Sequence, residues 1–390
     1  MTDLWDPFDE AHIAEPFAIY RQLRDERPVY HNERRGFWAL SRYQDVAAAI
    51  SDWRTYSSAD GVDLDNTGVL FFGPGDIVET DPPVHEHLRA VVRGHLTPKL
   101  VASLEPGVAR KVMTLVGRLR EQDQADLVGE MCLPLPLGVV GDLLGLESDA
   151  QDWIYARFLR LFYRESGVER PPELAMVALR EVREMLSAEL VRRRREPRED
   201  LLTVICQGRL EDRPLTNEEK VGMSMLIVAA GISTTKNLLS NIFWYLGQTN
   251  DLRAQLESDP GGVTNAVEEF LRFDSPIQNS SRTARTDVRL HGEVIPAGAR
   301  VTLIFGAANR DERRYEDPDA LVLRRQVGRH FAFGGGIHMC IGAPLARLEA
   351  RVVLQVGLPM MPSFEVYGTP IRSLKMNERG FESLPVRMWL

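Results

Sequence analysis

A single cysteine set among glycines constrains this chain more than any other feature. The run is Phe333-Gly334-Gly335-Gly336-Ile337-His338-Met339-Cys340-Ile341-Gly342. Apolar residues at helical spacing (Leu345, Leu348, Val352 and Val353) begin directly behind it. A thiolate needs positive potential around it, and a helix N-terminus supplies that through unpaired N–H groups and the macrodipole. Gly334, Gly335, Gly336 and Gly342 let backbone pass close to a large flat ligand and aim N–H groups at the sulfur. The plain alternative is a buried structural cysteine in a tight turn.

The chain has 390 residues, enough to bury a core that encloses a cofactor. Its formal net charge is -9, which argues against a nucleic-acid footprint. The basic run Arg192 to Arg195 is followed by acidic residues and suits the end of a helix. Three cysteines in so long a chain do not make a disulfide framework and suit a reducing compartment. Cys132 and Cys206 sit among apolar neighbours and are expected in the core. The N-terminus is acidic and lacks the apolar segment of a signal peptide, and no window has the length of a spanning helix. A soluble, cytoplasmic protein is expected.

Helical periodicity dominates over 17–27, 44–50, 85–96, 101–120, 173–194, 218–246, 263–273 and 343–356. Strand signals are short. Residues 28–31 and 36–40 bracket a polar turn and predict a hairpin. Residues 285–289 and 300–304 flank the turn signals His291-Gly292 and Pro296-Ala-Gly298. With no repeat and no linker, the pattern predicts one domain over 1–390, mainly α with minor β.

The cysteine run resembles the haem-ligand loop of the cytochromes P-450, whose pattern is Phe, two residues, Gly, three residues, Cys, one residue, Gly. Phe333, Gly336, Cys340 and Gly342 fill the four slots. The resemblance extends from Trp5-Asp-Pro-Phe to Ser383-Leu-Pro-Val. It implies the P-450 fold, a triangular helical prism enclosing haem b between a long central helix and the cysteine loop. It leaves no segment over for a fused reductase. Cys340 is then the iron ligand, with Phe333, Gly334 and Gly342 part of the haem-binding loop.

Three further constellations acquire meaning beside it. Glu269 and Arg272 share a helix face and resemble the family's Glu-x-x-Arg pair, a structural brace completed by Arg324 or Arg325. From spacing alone, solvated decoration is the favoured reading. His85 and Arg89, at i and i+4, together with Arg282 and His338, match positions that bind the two haem propionates. Ala229-Ala230-Gly231-Ile232-Ser233-Thr234-Thr235 interrupts the long helix with small and hydroxyl residues, which disfavour helix and can open a bulge. Helix packing explains such a run without any chemistry. The resemblance places it over the haem, with Ala230 and Gly231 leaving room for dioxygen and Thr234 hydrogen-bonding the bound oxygen. Ser233 departs from the family, which usually has Asp or Glu there, and a hydroxyl is no acid near neutral pH. Proton delivery must then use water, the substrate or a carboxylate from elsewhere.

The segments 61–78 and 276–281 and the turn around Phe381 line the substrate pocket in relatives. Val69, Leu70, Phe71 and Phe72 predict an apolar wall, and Gln278-Asn279-Ser280-Ser281 a polar patch. The expected activity is monooxygenation of a small or medium-sized organic molecule. Electrons would come from NAD(P)H through a ferredoxin or flavodoxin and its reductase, docking near Arg93, Lys99, Arg110, Lys111 and Arg347. A peroxide-driven or non-hydroxylating enzyme (coupling, desaturation, O-demethylation) and a haem-based sensor are the alternatives.

Overall fold

The computed structural model describes residues 3–64, 72–161, 163 and 171–389. Its organising element is the helix Asn217–Leu246, about 45 Å long at 1.5 Å per residue. A capping box fixes its start: Glu219 N donates to Thr216 Oγ1 at 3.2 Å, and Thr216 N to Glu219 Oε2 at 2.7 Å. Arg213 grips the same carboxylate with two 2.7 Å bonds, and these partners outweigh burial and hold Glu219 near 2.

The first half of this helix packs against Pro134–Leu143, Glu173–Arg195 and Leu201–Gln207. Its second half packs against Val263–Phe273 and Ala343–Val352. Being surrounded, it is buried on nearly all faces rather than on one apolar stripe. Pro134–Leu143 is also buried nearly all round, and its sequence accordingly shows no amphipathic period to read. The helix expected over 101–120 is two helices, Pro98–Ser103 and Glu105–Leu119, because Pro106 must sit in a first turn. Arginine does end a helix at Arg195, with buried Arg193 bonded to Asp200 and the Gly145 carbonyl at 2.6 Å each.

The predicted hairpin is present, Val29–Asn32 against Phe37–Leu40. It belongs to a five-stranded sheet whose spatial order continues through Arg300–Leu303, Ser280–Ala284 and Tyr56–Ser57. A parallel pairing, Phe37 opposite Arg300 to Leu40 opposite Leu303, thus merges the two separate strand regions of the sequence. The strand expected over 285–289 lies instead at Ser280–Ala284, with only Val288–Leu290 paired beyond it. Its polar residues hide it in the hydropathy pattern, yet they are satisfied inside the sheet: Ser281 and Thr302 share a hydrogen bond of 2.9 Å. A smaller sheet of Gln124–Asp126, Pro385–Trp389 and Ser363–Val366 was not foreshadowed. No helix among the described residues is long and apolar enough to cross a membrane.

Glu269 and Arg272 are wholly buried and joined by two bonds of 2.7 and 2.8 Å. Arg325 Nε reaches Glu269 Oε1 at 3.1 Å, whereas Arg324 is 72% exposed beside Asp259, so Arg325 is the third member. Arg272 also donates to the carbonyls of Asn309 and Pro318 at 2.9 Å each. Every charge here is desolvated, so removing one leaves the others uncompensated, at about 3–5 kcal/mol. Arg272→Ala should therefore lower the urea midpoint sharply and leave little haem-loaded protein. Arg272→Lys, which keeps the charge without the planar fork, should fall between. A fully loaded Arg272→Ala protein as stable as the parent would refute the brace.

Candidate active site

The central helix has one anomaly. Midway along its buried length Ala230 is exposed, and Gly231 and Thr234 are partly so. They face a cavity of about 360 Å³, within the range that takes organic ligands. Thr234 Oγ1 donates to the Ala230 carbonyl at 2.8 Å, and the helix stays α-helical throughout, without the bulge its composition allows. A Cβ on Gly231 would come within 2.8 Å of Val140 Cγ2, so the missing side chain there serves packing on Pro134–Leu143.

Phe333, Gly334, Gly335, His338, Cys340 and Gly342 also contribute to the cavity lining. Cys340 N donates to the Phe333 carbonyl at 3.0 Å and Gly334 N to that of Phe331 at 2.9 Å, closing the loop on itself. Gly334 and Gly336 have φ of 66° and 62°, a region open to glycine. Gly336 faces away from any ligand: a Cβ there would meet Ile50 O at 2.2 Å, so it seats the loop on the helix Tyr43–Ser51. Gly342 precedes the helix Ala343–Val352, and a Cβ on it would meet only Cys340 Sγ, at 3.8 Å. Protein surrounds Cys340, and the surface its side chain exposes is cavity surface. Burial pushes its thiol up, while the Gly342 and Ala343 N–H groups, Arg89 and Arg347 pull it down without prevailing. The helix start alone therefore does not yield a thiolate; a bound cation must complete the task. Cys132, by contrast, is core, and Cys206 donates to the Leu190 carbonyl at 3.5 Å.

The four expected cationic residues do come together. His85 lies on the helix Val84–Arg93, its ring centroid 4.5 Å from that of His338. Arg89, one turn on, donates to the Met339 carbonyl at 2.6 Å. Arg282 projects from the strand Ser280–Ala284 on the same face as Ser280, towards the cavity. Burial, then Arg282, His85 and Arg89, push His338 down to about 2, and burial and Arg89 lower His85. Burial and Arg300 bring even Arg282 to about 10. Both ring nitrogens of His85 and Nε2 of His338 are buried without partners. The site is thus short of negative charge, and carboxylates placed among these groups would relieve both deficits.

Behind the loop, Glu268 receives Arg347 through bonds of 2.6 and 2.9 Å and His330 at 3.0 Å. Arg347 also stacks 4.4 Å from the Phe333 ring, so it is committed to the loop rather than free for a partner. Lys111 likewise pairs with Asp142 at 2.9 Å, while Arg93, Lys99 and Arg110 are exposed.

Several lining residues escaped the sequence reading. Glu349 is buried with one oxygen unpartnered, and burial raises its carboxyl well above the usual range. Its place on the apolar stripe with Leu345, Leu348 and Val352 was the available signal. Asp76 is buried and pushed by desolvation to about 7. Asn377, Lys375 and Glu378 line the cavity where the Phe381 turn was expected; Phe381 itself is core, packed on Trp244. Of 278–281, Asn279 and Ser280 face the cavity, while Gln278 and Ser281 turn into protein. Phe72 lines it; Val69, Leu70 and Phe71 lie outside the described residues.

Residues 263–379 match the Cytochrome P450 family. The chain is 34% identical to the beta-dihydromenaquinone-9 omega-hydroxylase of Mycobacterium tuberculosis, over 99% of this chain and 78% of that one. It is 32% identical to cytochrome P450 109 of Bacillus spizizenii, over 92% and 88%. The chain belongs to the cytochrome P450 family. Its structure superposes on that of the Bacillus subtilis bacillaene polyketide synthase cytochrome P450 PksS with a TM-score of 0.89. The two are 28% identical, and the match covers 99% of this chain and 100% of the other. This P450 is accordingly a haem-dependent monooxygenase of mainly helical fold. Its residues fit haem: a cavity-facing sulfur stands on one side, small residues of the central helix line the same cavity, and partnerless histidine nitrogens beside Arg89 and Arg282 suit carboxylates.

The Glu268 brace sets a pH dependence. Burial alone would raise this carboxyl, but His330 and Arg347 hold it near 2, against 4.5 in an unfolded chain. Its contribution is complete above pH 4.5 and is lost as pH falls towards 2. Glu268→Gln should lower the urea midpoint at pH 6 and narrow the gap to the parent at pH 3. An equal deficit at both pH values would disprove the pairing.

Proposed function

We propose that this P450 binds haem b across one domain of residues 1–390, with Cys340 as the iron ligand, and oxygenates a small or medium-sized apolar molecule bearing a polar group. The observation that carries this reading is the cavity-facing Cys340 sulfur in one chamber with Ala230, Gly231 and Thr234. When bound, haem supplies the dioxygen chemistry, splitting O2 with two electrons and two protons so that one oxygen enters the substrate and one leaves as water.

The chain's own residues do the rest. The Gly342 and Ala343 N–H groups and the Arg89 and Arg347 charges favour negative charge on sulfur once the metal opposes burial. His85, Arg89, Arg282 and His338 take the two propionates. Ala230, with only a methyl group, leaves space beside the reacting centre. The Thr234 hydroxyl, at rest on the Ala230 carbonyl, is a rotor that can turn to a ligand oxygen. Ile77, Leu226, Ile227 and Phe72 give an apolar substrate wall, and Asn279, Ser280 and Asn377 add polar groups that orient. Electrons from NAD(P)H through a ferredoxin or flavodoxin suit exposed Arg93, Lys99 and Arg110 as a docking face for an acidic carrier. The three unpaired cysteines suit a cytoplasmic setting.

The reduced, carbon monoxide-treated holoenzyme should show the red-shifted Soret band of thiolate ligation, and Cys340→Ala should lose both the band and product. A variant that kept the band would overturn the assignment. Thr234→Ala should retain the substrate-induced spin shift while product formation falls on the order of 10²-fold and hydrogen peroxide rises. Unchanged product yield would remove Thr234 from the chemistry.

A further inference from the structure

The central helix carries no acid beside Thr234, yet a carboxylate stands there. Ser233 Oγ donates to Glu378 Oε1 at 3.3 Å, across 145 positions of sequence. Asn237, one turn along the helix, donates to Glu378 Oε2 at 2.8 Å, and Lys375 Nζ to Oε1 at 2.7 Å. Glu378 is 7% exposed. Burial pushes its carboxyl up, but Lys375, Lys236 and Asn237 more than offset this and keep it below the ordinary range, hence ionised.

Glu378 also borders a second, separate cavity of about 10 Å³, room for about one water. His12, Tyr20, Gln278 and Arg379 line that cavity with it. Gln278 Oε1 is buried without a hydrogen-bond partner, packed against Gly306. Glu378 therefore lines both the substrate cavity and a water-sized space beneath the N-terminal segment.

We propose that Glu378, acting through Ser233, relays protons from this second cavity to the substrate cavity, replacing the acid that the central helix lacks. The Glu378 carboxylate takes a solvent proton that arrives as hydronium at the second cavity, leaving neutral water there, and hands it to Ser233 Oγ. Ser233 meanwhile passes its own proton into the substrate cavity, and Glu378 returns to carboxylate. Only O–H bonds form and break, and one proton crosses per cycle. The hydroxyl can do this because its hydrogen, now aimed at Glu378, turns freely about the C–O bond.

The inference rests on the monooxygenase reading above, and the parent's carbon monoxide band tests that reading separately. Glu378→Gln and Ser233→Ala should both keep haem, that band and the substrate spin shift. Product per NAD(P)H consumed should fall about ten-fold or more in each, with hydrogen peroxide rising. Ser233→Ala leaves the Lys375–Glu378 pair whole, so it tests the relay even where Glu378→Gln folds poorly. Because the two act in series, the double variant should be no worse than the poorer single one, and Glu378→Asp should recover part of the loss. Independently of turnover, infrared difference titration of the holoenzyme should lose one buried carboxylate signal in Glu378→Gln, and that signal should shift in Ser233→Ala. Parent-like coupling in Ser233→Ala, additive losses in the double variant, or a loss confined to Glu349→Gln would each overturn the relay.

Discussion

Burying Glu269 together with Arg272 and Arg325 is the interaction on which the site depends. Three charges leave water, which is tolerable only because each donor and acceptor is matched. Arg272 holds the Asn309 carbonyl, Asn309 Oδ1 accepts Phe331 N at 2.7 Å, and the Phe331 carbonyl accepts Gly334 N. A continuous chain of hydrogen bonds thus runs from the helix Val263–Phe273 into the cysteine loop. Glu268, next in sequence to Glu269, reaches the same loop by another path, through Arg347 and His330. Two neighbouring acids on one helix therefore hold Cys340 in place from outside the cavity.

Inside the cavity the balance runs the other way. The fold gathers two arginines and two histidines whose mutual repulsion and burial depress their protonation, and a thiol that burial keeps protonated. Each of these conflicts has the same remedy, a ligand carrying carboxylates at one edge and a cation at its centre. Local rules broken in concert mark a functional site rather than poor packing. Stability is accordingly linked to the cofactor, since any group that binds only the folded state shifts the folding equilibrium towards it.

Legibility followed local pattern. The cysteine loop, the Glu269–Arg272 spacing and the long helix are contiguous in sequence, so their residue types carry their meaning. That His85, Arg89, Arg282 and His338 all meet was legible only through family resemblance, since spacing joins only His85 to Arg89. Arg325 could not be told from Arg324 because the choice depends on which side chain faces inward in an irregular segment. Gly231 was read for the space it leaves, but the position of its absent Cβ is set by Val140, on a helix with no readable period. The strand Ser280–Ala284 was displaced because polar residues satisfied within a sheet look like a loop in hydropathy.

Glu378 is the furthest case from sequence. Residues 373–380 form no regular element beyond one isolated bridge, Ile277 to Glu378, so no period marks which side chain turns inward. An acid built into the central helix at position 233 would be placed by helix geometry alone. A carboxylate from the C-terminal segment must instead be placed by its partners, and Lys375, Asn237 and Ser233 supply them from two elements. That arrangement leaves the helix a small, neutral residue beside Thr234. The charge it displaces sits beside Asn377 and Lys375, in the wall that the substrate touches. An Asp at 233 would set a second carboxylate against Glu378, two like charges at hydrogen-bond range that could not both stay ionised. With serine at 233, Glu378 can stay ionised beside the helix.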